Sequence, residues 1–300
     1  MHQAKRARIL IYGAGVIGSL YGAYLSQSGC EVSVVARGHR LEELRKKGLL
    51  YRDGKMIQKA EVRIIEQLEP GERYDYVFLT VRAGQLYQAL EQLRDSASPT
   101  RVTMVNSLED YSAWEEICGK GCILPAFPGA GGSIRDGILD AGLTPRLIQP
   151  TTFSEIDGAR TKRADTLKRI LNRAGIPCQM VSDMHAWQIC HLAMVVPLAD
   201  AYYLVDDPKL VYKNKAVMRK TAKALHENFT LLKAQGDSIS PPKLNLFRLC
   251  PVGVMAWVLP FIYNSAFGDR FMYQHAMKAK DEMEQLHQVF YGYLRKGEIT

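Results

Sequence analysis

The stretch RILIYGAGVIGSLYGAYLSQSGCEVSVVAR, residues 8–37, sets three glycines at fixed offsets between two apolar runs. Ile9–Tyr12 is a short β-run of the kind a buried parallel strand shows. Gly13-Ala14-Gly15-Val16-Ile17-Gly18 follows at once, then a helical segment to about Ser28 and a second strand at Glu31–Ala36. Strand, turn, helix and strand in this order predict a dinucleotide-binding turn. Gly13 allows the tight turn, Gly15 lets the backbone approach a pyrophosphate, and Gly18 lets the helix lie close on the strand. The phosphates would meet the helix N-terminus at Val16 and Ile17, where N–H groups lack intrahelical acceptors. A merely glycine-rich turn is the alternative, and the flanking elements weigh against it.

The end of the second strand selects the cofactor. An NAD site wants Asp or Glu there to accept from the ribose hydroxyls. This chain reads Val34-Val35-Ala36-Arg37-Gly38-His39-Arg40, with no carboxylate between Glu31 and Glu42. Arg37 could fork onto a 2′-phosphate and stack on adenine, with Arg40 adding charge. The expected cofactor is NADP; the bland alternative is a solvated arginine at a loop start.

Three hundred residues at 47% hydrophobic content can bury a large core and suggest two domains. The net charge of +8 favours acidic ligands or simply solubility. The basic residues are spread along the chain, so no nucleic-acid groove is expected. The six cysteines (Cys30, Cys118, Cys122, Cys178, Cys190, Cys250) include no CxxC pair. Cys118 and Cys122 could be i,i+4 neighbours, but no second ligand pair accompanies them, so a zinc or other metal site is rejected. Reduced thiols fit a cytoplasmic protein. Lys5, Arg6 and Arg8 before an apolar run imitate a secretory signal, yet the segment runs straight into a strand. The apolar stretches AWVLPFIY and LAMVVPLA fall short of the roughly 20 residues a membrane span needs, so no membrane segment is expected.

The alternation continues. Tyr74–Val81 reads as a strand ending at Arg82-Ala83-Gly84-Gln85, followed by a helix over Gln85–Arg94. Val102–Val105 reads as a further strand ending at Asn106-Ser107. Ligands in doubly wound sheets gather beyond the carboxyl ends of strands, where Arg82, Gln85 and Asn106 all stand; ordinary loop polarity is the alternative for each. Pro128–Gly132 predicts a loop able to approach a nicotinamide or a substrate, or else a plain turn.

Together GAGVIG, VARG, TVRAGQ and VNS resemble the ketopantoate reductase (2-dehydropantoate 2-reductase) family over residues 1–180, and the remainder resembles it loosely. The resemblance implies an α/β fold. An N-terminal Rossmann-type doubly wound parallel sheet (1–180) would bind NADP, and an all-helical C-terminal domain (181–300) would serve substrate binding and dimerisation. It implies NADPH-dependent reduction of a 2-oxo acid, or a related small carbonyl compound, to the hydroxy acid, in pantothenate biosynthesis. Asn106 would contact cofactor and substrate, Arg37 and Arg82 would line the NADP groove, and Glu282 in Ala279–Glu284 would match the family's substrate-binding glutamate.

The departures fall on the chemistry. The family carries a lysine as general acid on the first helix of its second domain. Here that helix reads HAWQICHLAMVVP, residues 185–197, and no lysine occurs between Lys168 and Lys209. His191 is the nearest candidate proton donor. Anchoring on Pro197 puts Gln188 at the lysine's position with His191 on the same face; anchoring on Trp187 puts Ile189 there and turns His191 away. A hydrogen-bonded core histidine is the alternative. Further on, Lys213–Ala234 predicts an amphipathic helix and Tyr273–Leu294 a C-terminal one. The apolar tail (Trp257, Phe261, Tyr263, Phe267, Phe271) reads as core, as a roof over the active-site cleft, or as a homodimer contact. Three functions stay open: a 2-oxo acid reductase, an NADP(H)-binding protein without catalysis in a sensor or structural role, and a dehydrogenase acting on an amino or imino acid.

Overall fold

The computed structural model describes residues 6–69, 71–278 and 280–297, so Lys5 and Ala279 lie outside the described residues. The chain divides into two compact units, Met1–Met184 and His185–Thr300.

The first unit alternates strands and helices: β1 (Arg8–Tyr12), α1 (Val16–Gln27), β2 (Glu31–Val35), α2 (Gly38–Lys47), β3 (Leu49–Asp53), β4 (Met56–Ala60), β5 (Arg63–Ile65) and β6 (Tyr76–Leu79). It continues with α3 (Leu86–Gln92), β7 (Arg101–Met104), α4 (Tyr111–Cys118), β8 (Ile123–Phe127), β9 (Ala130–Arg135), β10 (Ile138–Leu143), β11 (Thr151–Phe153), α5 (Lys162–Arg173) and β12 (Cys178–Met180). The main sheet has the order β12-β11-β8-β7-β6-β1-β2-β5. Its six strands from β5 to β8 are parallel, and β11 joins β8 antiparallel. The parallel part has the doubly wound dinucleotide-fold order, with β1 at the topological switch. Its central strands are buried almost completely, as apolar runs without alternation require.

A second sheet, β4-β3-β10-β9, covers the far side of α1. This sandwich explains the small residues of that helix. Gly18, Ser19, Leu20, Tyr21, Gly22, Ala23 and Leu25 are all buried, so α1 has almost no solvent face. A Cβ on Gly22 would make ordinary contact across the sandwich, 3.5 Å from Val34 Cγ2 and 3.8 Å from Leu49 Cδ1. The expected loop at Pro128–Gly132 is largely absent, because Gly131 and Gly132 belong to β9 and pair with Gly142 and Ala141 of β10. The helix expected over Gln85–Arg94 begins instead as a 3₁₀ turn, Ala83–Gln85.

The second unit is all-helical: α6 (Met184–Tyr203), α7 (Lys215–Ala234), α8 (Asn245–Leu249), α9 (Val252–Tyr263), α10 (Gln274–Lys278) and α11 (Lys280–Gly297). Lys213 is not the start of α7: it ends a 3₁₀ turn, and Asn214 caps α7 by accepting from Val217 N at 3.1 Å. The C-terminal helix expected from Tyr273 follows a π-turn (Gly268–Tyr273) and is described over Gln274–Lys278 and Lys280–Gly297, on either side of Ala279. The aromatic tail is divided as well. Tyr263 is buried, whereas Trp257 and Phe261 are exposed on α9. Among the described residues no single helix is long and apolar enough to cross a membrane; the apolar pair Pro242–Leu249 and Val252–Tyr263 is bent by 118°.

Candidate functional site

The three glycines do different physical work. Gly13 has φ +116°, and Thr80 Oγ1 donates to its carbonyl at 2.8 Å. A Cβ on Gly13 would stand 2.8 Å from the Thr80 carbonyl oxygen, and one on Gly18 would overlap the Gly13 carbonyl. Both glycines are demanded by the packing of β1, α1 and β6. Gly15 is different: its φ is −73° and a Cβ there would meet nothing within 4 Å. The room above Gly15 therefore serves no contact within the chain. Gly15 is the N-cap of α1, whose first turn carries no acidic residue, so its amide dipoles face that room without a competing anion.

A cavity of about 840 Å³ opens there, walled by Tyr12–Gly15, Val35–Arg37, His39, Arg40, Gln85, Gln88 and Asp136-Gly137 among others. Arg37 leaves the end of β2 and is held in place. Its Nη2 donates to the Tyr12 hydroxyl and to Gln92 Oε1, and Tyr12 also donates to Gln92. Burial raises the Tyr12 hydroxyl above the ordinary tyrosine range, with Arg37 pulling the other way. Arg40 lies against the glycine turn. Its Nε donates to the Ala14 carbonyl at 3.2 Å and Nη2 to Ser19 Oγ at 3.4 Å. Arg40 also pairs with Glu43, so one of the cavity's carboxylates is neutralised locally.

Gly13, Gly15, Arg37 and Gln85 thus line one cavity. Val16, Ile17 and Gly18 open α1 behind its wall. Arg82 is exposed ahead of the 3₁₀ turn and does not line the cavity. Asn106 stands two residues beyond β7, and its Oδ1 is buried with no hydrogen-bond partner among the described residues. In the second unit, His191 is only 5% exposed and stacks on Trp187, with ring centroids 5.1 Å apart. Burial, with His275 contributing, pushes its pKa down to about 3. Gln188 is also buried, and Glu282 is half-buried in the first turn of α11. Sequence reasoning missed Tyr12, Gln92, Thr80 and the Asp136-Gly137 turn. The last carries a readable signal: Asp-Gly with φ of +51° and +83° is the two-residue hairpin connection.

The fold and its turn define a doubly wound α/β domain with a dinucleotide-type glycine loop, followed by an all-helical region. Residues 9–134 match the family ketopantoate reductase PanE/ApbA. The 2-dehydropantoate 2-reductase of Archaeoglobus fulgidus is 31% identical over 181 residues, which cover 59% of this chain and 57% of that protein. The Pyrococcus horikoshii 2-dehydropantoate 2-reductase is 26% identical over 190 residues, covering 60% and 58%. The chain thus matches less than two thirds of the length of these curated relatives. Over residues 9–134, the N-terminal unit is similar to the ketopantoate reductase PanE/ApbA family. Among solved structures, 2-dehydropantoate 2-reductase from Geobacter metallireducens GS-15 superposes with TM-score 0.68 at 17% identity, covering 95% of this chain and 99% of that one. D-mandelate dehydrogenase, solved with NADH and anilino(oxo)acetate, gives TM-score 0.62 at 15% identity, covering 97% and 99%. At these identities the likeness is one of fold.

Proposed function

We propose that the chain is an NADPH-dependent reductase of a 2-oxo acid or a related small carbonyl compound. The observation that carries this is the cavity above Gly15, open to a ligand and flanked by Arg37 and Arg40 where an NAD site would place a carboxylate. Gly13 and Gly15 would admit the pyrophosphate against the N-terminus of α1, and Arg37, with Arg40 behind it, would take the 2′-phosphate. Arg82 and Gln85 follow β6, and Asn106 follows β7, at the carboxyl ends where this fold gathers ligands. The orphaned Oδ1 of Asn106 is the kind of buried polar atom that a ligand donor would satisfy. Bound NADPH would supply the hydride. The first unit would hold the nucleotide, and the second, with Glu282, would serve the substrate.

Proton delivery is the step for which this chain must supply its own donor. No lysine stands between Lys168 and Lys209, and His191 is held neutral by burial. This argues against the expectation that His191 is the proton donor; water in the substrate pocket would take that role. The same observation favours a second reading, an NADP(H)-binding protein without catalysis. NADPH consumption against a panel of 2-oxo acids, ketopantoate included, separates the two. Turnover of any of them supports the reductase; NADPH binding with no acid reduced supports the binder.

A further inference from the structure

Cys118 ends α4 and Cys122 stands one residue before β8. Gly119 (φ +99°) and Gly121 (φ +75°) turn the chain back between them, in a backbone conformation that side chains disfavour. The turn brings the two sulfurs to 2.9 Å, inside ordinary sulfur–sulfur contact, and both residues are free thiols, each 7% exposed.

Beside them lies a buried cation. Arg101 is 3% exposed, and its backbone N–H donates to the Cys122 carbonyl at 2.8 Å. Its guanidinium donates to the carbonyls of Ser98, Leu93 and Ser96 at 2.8, 2.8 and 3.2 Å. Its Nε is buried with no hydrogen-bond partner, and among the described residues no carboxylate forms an ion pair with it. A buried charge without a counter-charge is costly, and Arg101 favours the ionised form of the Cys122 thiol. The hydrogen bond with Cys118 is the largest influence on the Cys122 thiol and lowers its pKa; burial opposes this and Arg101 supports it. Glu115, whose carboxylate accepts from Gly121 N at 2.6 Å, works against the thiolate. The hydrogen bond with Cys122, together with burial, pushes the Cys118 thiol up. The two sulfurs titrate as a pair, with the lowered pKa on the Cys122 side and the raised one on Cys118.

We propose that Cys118 and Cys122 form a peroxide-sensitive dithiol, with Cys122 the attacking thiolate and Cys118 the resolving thiol. The Cys122 thiolate attacks one oxygen of hydrogen peroxide. An S–O bond forms, the O–O bond breaks, and the departing hydroxide takes up the proton that Cys122 had released. Cys118 Sγ then attacks the sulfenic sulfur: the S–S bond forms, the S–O bond breaks, and the Cys118 proton leaves with the hydroxyl as water. Two thiols lose two protons and two electrons, and one peroxide becomes two waters. Burial of both sulfurs selects a small oxidant over a protein one.

Lys120 lies between the cysteines, which makes the test direct. Trypsin separates peptide 102–120, holding Cys118, from peptide 121–135, holding Cys122. After hydrogen peroxide treatment of the native full chain and alkylation, the two peptides should stay joined, two hydrogens lighter than their sum, until reductant is added. In Cys118→Ser protein, Cys122 should be trapped by dimedone about tenfold faster than Cys118 is in Cys122→Ser protein. Peptides that separate without reductant, with both thiols alkylated, overturn the proposal. A cross-link from either cysteine to a different one overturns it too, and equal trapping rates overturn the assignment of Cys122 as attacker.

Discussion

Arg37 lies over Tyr12: its guanidinium carbon is 5.6 Å from the ring centroid, and Nη2 donates to the Tyr12 hydroxyl. An exposed arginine would ordinarily lose rotamer freedom on meeting a phosphate. Here Tyr12 and Gln92 have already ordered it, so more of the interaction survives as affinity. Arg37→Ala should weaken NADPH binding by about 10–100-fold, as loss of a charge-assisted hydrogen bond implies, while NADH affinity stays nearly unchanged. Gln92→Ala should give a smaller loss in the same direction. Fluorescence titration checks both; equal affinity of the unaltered protein for NADPH and NADH would defeat the cofactor assignment.

The glycines separate fold from function. Gly15→Val should leave the protein folded, since a side chain there meets nothing in the chain, yet abolish binding of both nicotinamide dinucleotides. Gly18→Ala should do the reverse in kind. Its Cβ would overlap the Gly13 carbonyl, so overpacking of roughly 1–3 kcal/mol should show as a lower Tm. Retained NADPH binding by a folded Gly15→Val protein would show the turn to be structural only.

His191 should announce itself in stability. Its folded pKa of about 3 lies below the ordinary histidine value of 6.5, so between the two the unfolded chain binds the extra proton. Stability from this group is therefore intact above about pH 6.5 and falls progressively as pH drops toward 3, by a few kcal/mol in all. His191→Gln should flatten that acid limb in Tm measured against pH. At neutral pH it should leave any turnover within about tenfold, whereas loss of a true general acid costs about 10²–10⁴.

Glu155 is buried with its carboxylate bridging Arg163 and Thr161; Arg163 Nε donates to it at 2.8 Å. Glu155→Ala would leave Arg163 only the carbonyls of Gly121 and Ile123 as acceptors. Breaking a buried pair from one side should cost roughly 3 kcal/mol, read as a lower urea midpoint with unchanged slope.

The glycine turn was legible because its chemistry is local: strand, turn and helix are contiguous, and each glycine answers one nearby constraint. Arg37 was legible for the same reason, by the absence of an acid at its strand end. Its partner Gln92 was not, because it reaches Arg37 from α3, across the fold. The second sheet escaped because β3 and β4 bury only part of one face and lack a clean alternation, although Asp53-Gly54 and Asp136-Gly137 both carry hairpin chemistry. In the helical unit, α6 is apolar around most of its circumference. No face of it could be picked from periodicity, and neither could the surroundings of His191.

The parallel pairing of β10 with β3, through Ile138↔Leu50 and Leu139↔Tyr51, also orders events in time. Arg40 reaches the Gly137 carbonyl and Lys47 the Asp136 carbonyl, so the cavity above the glycine turn borrows its rim from chain translated long after that turn. During synthesis, β1, α1 and β2 leave the ribosome first, with the outer flank of α1 covered only by β3 and β4 until the β9–β10 hairpin arrives. Long-range closure of this kind is slow and leaves apolar surface open to misassociation. A nascent chain halted at Ile134, where the family match ends, would carry the nucleotide fingerprint but lack the hairpin that shields α1. Such a chain is expected to depend on chaperones until the hairpin is made.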